Sequence, residues 1–242
     1  LWADGQRQRA RELWQRNAAA PLPTDARALG FVGRSLFRLG GRANLEQAGR
    51  HLVQSLRQDP EQAETRITFA LLQFAVYGEA EGFPSGERDL HKVLEQNGDL
   101  EPALLAMYHV RSANMVLDAA KTERFLERVL DRNPRCVEAL VLRAANVLDD
   151  RRYRDAAAML DEALAINPND RAALAHRAAA AFLLHDPASF DALRARALAG
   201  DPGFAEPDRI LGDHLVALYR FADAVPVYER ALALDPEHVP TL

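Results

Sequence analysis

Cysteine is all but missing from this sequence. Cys136 stands alone among 242 residues, so no internal disulfide can staple the fold, and the redox compartment stays open. Long apolar runs are missing too. None approaches the ~18 residues that a bilayer-crossing helix needs, so no membrane insertion is expected. A basic excess is also absent: 30 lysines and arginines face 35 acids, for a net charge of −5. Without a basic stripe, a nucleic-acid partner is not expected. No signal-peptide pattern precedes the first charges, and Leu1 stands where a start methionine would be. A soluble chain of the cytoplasm or the periplasm fits equally well.

Chemical motifs are scarce. The histidines (His51, His91, His109, His176, His185, His214 and His238) form no HExxH arrangement, and no two lie four residues apart on one helix. There is neither a GxGxxG before a helix nor a Walker pattern. His185-Asp186 is the nearest thing to a polar pair and reads as a solvated turn. Cys136 opens a helix without a partner base nearby in sequence. Four arginines, Arg7, Arg9, Arg11 and Arg16, share one N-terminal helix and read as a solvated face. No catalytic residue, metal site or cofactor is expected.

What is abundant is alanine and leucine, which lose little on entering a helix. They are arranged periodically. Four segments align, 129–134 VLDRNP, 163–168 ALAINP, 197–202 ALAGDP and 231–236 ALALDP, and their prolines recur every 34 residues. The cadence continues upstream as 55–60 SLRQDP and 93–98 VLEQNG. Each unit holds two apolar stripes of helical period, clearest in 137–170, where Leu140, Ala144 and Val147 precede Ala156, Leu160, Ala163 and Leu164. A short polar connection, Asp149–Arg152, separates them, and Asn167-Pro168 stops the second helix.

At these residues the sequence resembles the tetratricopeptide repeat family. The family's small eighth, twentieth and twenty-seventh positions fall on Ala144, Ala156 and Ala163, and again on Gly212, Ala224 and Ala231, with Tyr228 at its aromatic twenty-fourth. The resemblance implies an all-α fold, a right-handed α-solenoid of antiparallel helix pairs. It divides 1–242 into a partial repeat (1–25), repeats at 26–62, 63–100, 101–136, 137–170, 171–204 and 205–238, and the start of another at 239–242. Residues 6–20 read as the second helix of the partial unit, with Leu13 and Trp14 inward. The uncapped end, exposing the apolar face of the helix that starts near Ala222, leads to the expectation of a longer parent protein and of self-association through that end.

Several departures are expected to matter. About three extra residues lie around Gly41–Leu45, two near Asp118, and a longer loop runs from Gly78 to Gly86. Phe190 replaces a small residue and Arg194 a large apolar one, which should push the second helix of 171–204 outward. Pro226 should fall in a first helical turn capped by Asp223, with Pro102 and Pro207 likewise at helix starts.

The resemblance also implies a concave groove lined by the first helix of each pair. Carried over, its positions fall on Arg34 and Phe37; Ile67, Leu71 and Phe74; Leu105 and His109; Val141, Ala145 and Leu148; Ala175, Ala179 and Phe182; and Arg209, Asp213 and Val216. The lysine and asparagine pattern with which family members clamp a C-terminal carboxylate is absent. An interaction scaffold for a protein or peptide partner is the function implied. The alternative is a non-catalytic docking arm of a larger bacterial enzyme, because 190–242 resembles repeat arrays that precede gluzincin-type peptidase domains. Envelope or secretion assembly is a third reading.

Overall fold

A computed structural model describes residues 7–19, 24–113, 119–199 and 201–235. Among them are twelve helices and no strand: α1 (Arg7–Ala18), α2 (Ala26–Leu39), α3 (Arg42–Gln58), α4 (Ala63–Gln96), α5 (Glu101–Ser112), α6 (Ala119–Arg132), α7 (Val137–Asp149), α8 (Tyr153–Ile166), α9 (Arg171–Leu183), α10 (Pro187–Ala199), α11 (Glu206–Ala217) and α12 (Phe221–Leu234). No described helix is long and apolar enough to cross a membrane. The chain forms two compact units, one over 7–134 and one over 135–235.

In each unit, consecutive helices joined by short turns pack on one another as antiparallel pairs. The small positions are where the axes meet. Ala48, Ala144, Ala156, Ala163, Ala178 and Ala231 have no exposed surface. A Cβ at Gly33 would lie 2.7 Å from Leu52 Cγ, and one at Gly212 only 2.4 Å from Tyr228 Cε1. Side-chain bulk at these crossings would force the helices apart.

Turns recur as faithfully as helices. Asp59, Asn167 and Asp235 end α3, α8 and α12 in nearly one extended conformation, with φ of −141°, −130° and −139°. Each precedes a proline in sequence, which disfavours the α region for its neighbour. Between the helices of the last three pairs, Arg151, His185 and Tyr219 adopt φ of 63°, 66° and 59°. In each case the next residue's N–H reaches five residues back, as Arg152 to Val147 (3.1 Å), Asp186 to Ala181 (2.9 Å) and Arg220 to Leu215 (2.8 Å). This is the Schellman closure, built on non-glycine residues in the left-handed region. Asp186 then caps α10, accepting from Ser189 N at 3.0 Å.

In the unit over 7–134, α1 covers the expected N-terminal helix, with Leu13 and Trp14 partly buried and the Arg38 guanidinium 5.8 Å from the Trp14 ring centroid. The extra residues near Gly41 lengthen α3 rather than a loop: α3 has 17 residues where α8 has 14, and Gly40 and Gly41 turn the chain at φ of 67° and 80°. The longer loop expected over 78–86 falls inside α4, which is helical from Ala63 to Gln96. Yet α4 is not straight. A Cβ at Gly86 would lie 2.8 Å from the Ala70 carbonyl oxygen, whereas sixteen residues of straight helix span about 24 Å. Arg66 Nη1 (3.0 Å) and Gln73 Nε2 (2.9 Å) both donate to the Asp89 carboxylate. The two halves of α4 therefore lie side by side as a pair. Side chains at 77–83, and the extra residues near Asp118, lie outside the described residues.

In the unit over 135–235, α8 packs along α9, but α11 packs on α9 and α12. Phe190 is buried and meets Phe182 edge-on at 5.8 Å, filling space that a small residue would leave to a neighbouring helix. Arg194 instead reaches α11 through Asp208, a carboxylate with no exposed surface. Arg194 Nε donates to Asp208 Oδ2 at 2.6 Å and Arg230 Nε to Oδ1 at 3.0 Å. Asp223 does not cap α12: the helix begins at Phe221 after Arg220, which puts Pro226 beyond the first turn, on an exposed face. Pro102 and Pro207 do sit at helix starts.

Candidate functional site

The first helices of the pairs are α2, the first half of α4, α5, α7, α9 and α11. Their expected lining residues divide into two sets. In the unit over 7–134, Phe37, Leu71 and Phe74 are partly exposed and His109 is exposed, its ring edge-on to Tyr108 at 5.9 Å. Ile67 and Leu105 are buried. Arg34 is held inward, donating to Thr65 Oγ1 at 3.0 Å, with Glu64 3.3 Å away.

In the unit over 135–235 the middle of the lining is closed. Leu148 has no exposed surface and Val141 is buried, so neither lines an open groove. Ala175 and Ala179 are likewise fully buried, in one cluster with Ile210, Leu211 and Leu215. The alanine-rich face of α9 lets α11 come close enough to cover these positions. Ala145 and Phe182 keep partial exposure; Asp213 and Val216 are exposed.

Arg209 and Asp213 do not stand free. Arg209 donates to Glu206 Oε2 through Nε (2.9 Å) and Nη2 (2.6 Å), and through Nη1 to Asp213. Burial opposes the Arg209 charge, but the bound carboxylates outweigh it and raise its pKa. Tyr228 donates its hydroxyl to Asp213 Oδ1 at 2.7 Å; burial and that acceptor push the phenol well above its ordinary range. His176 is partly buried beside this network, its Nδ1 shut off from solvent without a hydrogen-bond partner. Burial, then His214 and Arg209, lower its pKa to about 4. His214, also lowered by burial, has Nε2 3.8 Å from Asp149 Oδ1.

This network satisfies its own charges and contains no nucleophile poised against a base. Among the described residues no three His, Cys, Asp or Glu side chains come together to hold a metal ion. His185-Asp186 is a turn and a helix cap, as described above, and Cys136 is buried at the start of α7. The feature that sequence reasoning missed is Asp208. Its signal was Arg194, a charge at an apolar position, which calls for a buried partner.

No protein-family model and no curated protein matches the sequence. Solved structures do. A tetratricopeptide repeat protein from Parabacteroides merdae shares 16% identity with a TM-score of 0.63 over 97% of this chain and 87% of its own. A structure of the APC/C hetero-tetramer Cut9-Hcn1 aligns over 99% of this chain and 45% of that one, at 14% identity and a TM-score of 0.69. The human IFIT1 dimer with m7Gppp-AAAA aligns over 93% and 54%, at 15% and 0.62. The chain thus spans about half the length of the last two. Likeness at this level of identity carries fold rather than activity. With the 34-residue period, the small residues at the helix crossings and these neighbours in agreement, the chain has the all-α tetratricopeptide-repeat fold.

Proposed function

We propose that this chain is a protein-interaction scaffold, with the first helices of its pairs offering a partly apolar surface to a peptide or helix of a partner. The observation that carries this reading is the accessible apolar surface of Phe37 on α2 and of Leu71 and Phe74 on α4, two first helices that pack together. Amphipathic helices and extended peptides bind such strips through spaced apolar anchors. The fold neighbours support a binding role in general terms, since repeat arrays work by presenting extended surfaces.

The test is capture of partners from the source cells by the wild-type chain and by Leu71→Glu/Phe74→Glu. Leu148 is unsuited to this, because a charge at a fully buried position would disrupt the core. Partners specifically lost from the double variant, with its far-UV circular dichroism and melting unchanged, support the reading. Undiminished capture refutes it.

A further inference from the structure

A second groove lies on the other side of α4. Leu45, Glu46, Gly49, Arg50, Val53, Gln54 and Arg57 of α3 face Phe69, Leu72, Gln73 and Val76 of α4 across an open cavity of about 900 Å³. Each set follows helical spacing, so two continuous stripes oppose one another. At 3.6 residues per turn, the α4 stripe is roughly opposite the face that carries Leu71 and Phe74. This groove is therefore distinct from the surface in the preceding reading.

Its origin is in the sequence. The three added residues lengthen the start of α3, and Leu45 and Glu46 follow them directly. Gly49 contributes no side chain, and a Cβ there would only touch Leu72 Cδ2 at 3.7 Å. The floor is apolar, with Val76 46% exposed. The rim is cationic. Arg50 and Arg57 are exposed, and among the described residues neither pairs with an acid, while Glu46 is engaged by Arg42 at 3.2 Å. Two arginines and one glutamate give the lining a net charge of +1 (2 − 1), on a chain whose total is −5.

We propose that this groove receives an acidic amphipathic helix from a partner protein. Apolar side chains at helical spacing would fill the floor, and carboxylates would meet Arg50 and Arg57. Those arginines are seven residues apart on α3, which is about 10.5 Å or two turns, so the matching acids are also seven apart on a helix running along α3. Arginine suits this task because its fork holds a carboxylate in a fixed geometry. A nucleic acid is the poorer fit, since two cations beside a glutamate make no phosphate track.

The experiment uses a fluorescein-labelled alanine-based helix of about 16 residues, with leucines at helical spacing and two glutamates seven apart, titrated by anisotropy. The same helix with lysines for glutamates is the control. The wild-type chain should bind the acidic helix about tenfold more tightly than the lysine helix, as two partly exposed charge pairs allow. Arg50→Glu/Arg57→Glu should invert that preference, and Gly49→Leu, which fills the floor, should abolish binding of both. Leu71→Glu/Phe74→Glu should bind like wild type, so failure of the earlier reading would leave this one standing. Equal affinity for the two helices, binding that survives Gly49→Leu, or tighter binding of a single-stranded RNA of similar length would overturn the proposal.

Discussion

Removing Asp208 is the sharpest perturbation the structure offers. Its carboxylate has no exposed surface and is held by Arg194 and Arg230, whose side chains are 22% and 46% exposed. Arg230 can return to water; Arg194 can do so only in part. Asp208→Ala should therefore cost about 3 kcal/mol, the low end for breaking a buried ion pair. Arg194→Leu leaves a fully desolvated carboxylate with one half-exposed partner and should cost about 3–5 kcal/mol. The double variant Arg194→Leu/Asp208→Leu removes both charges and restores apolar packing. It should lie within about 1 kcal/mol of wild type or be more stable. Urea denaturation followed by circular dichroism measures all three, and the cycle isolates the coupling. Single variants that each cost under about 1 kcal/mol and sum in the double would refute the argument, because the carboxylate would then not be desolvated.

Two further outcomes follow from the turns and from the buried histidine. His185→Gly should raise stability by about 0.5–1 kcal/mol, since a side chain in the left-handed region costs more than glycine loses in the unfolded chain; a lower melting temperature would count against the strain. His176 binds its proton only near pH 4 in the fold but near its ordinary 6.5 when unfolded. The unfolded chain thus takes the proton first as pH falls. The stability involved is fully present above about pH 6.5 and is lost toward pH 4, on the order of 2 kcal/mol by pH 5. His176→Leu should lose correspondingly less between pH 7 and pH 5, and an unchanged loss would show that His176 is not the group responsible.

The repeat was legible because its determinants are local. A proline after each second helix sets the backbone before it, and alanine at a crossing sets the spacing of the pair, so Asp59, Asn167 and Asp235 end their helices alike. What escaped is what depends on a third helix. Leu148 and Val141 occupy positions that should line a groove but are buried, Leu148 in one cluster with Ala175 and Ala179 of α9. The reversal within α4 was read as a loop because Gly78, Gly82, Pro84 and Gly86 look like turn residues. Gly86 instead serves as the small residue at a crossing. The capping role assigned to Asp223 failed for a similar reason. Its carboxylate accepts a hydrogen bond from Arg220 Nε at 2.7 Å, and the helix already starts at Phe221.

The way α10 joins its neighbours bears on how cooperatively the last pairs hold together. In an array where stability is a sum of repeat terms and nearest-neighbour terms, the coupling between repeats is usually shared by both helices of a pair. Here α9 passes it directly to α11, while α10 is joined to α11 through the Arg194–Asp208 bridge. The neighbour term thus bypasses one helix. A fluctuation that lifts α10 need not uncouple the two repeats, which makes that helix the natural subglobal opening of this end of the chain.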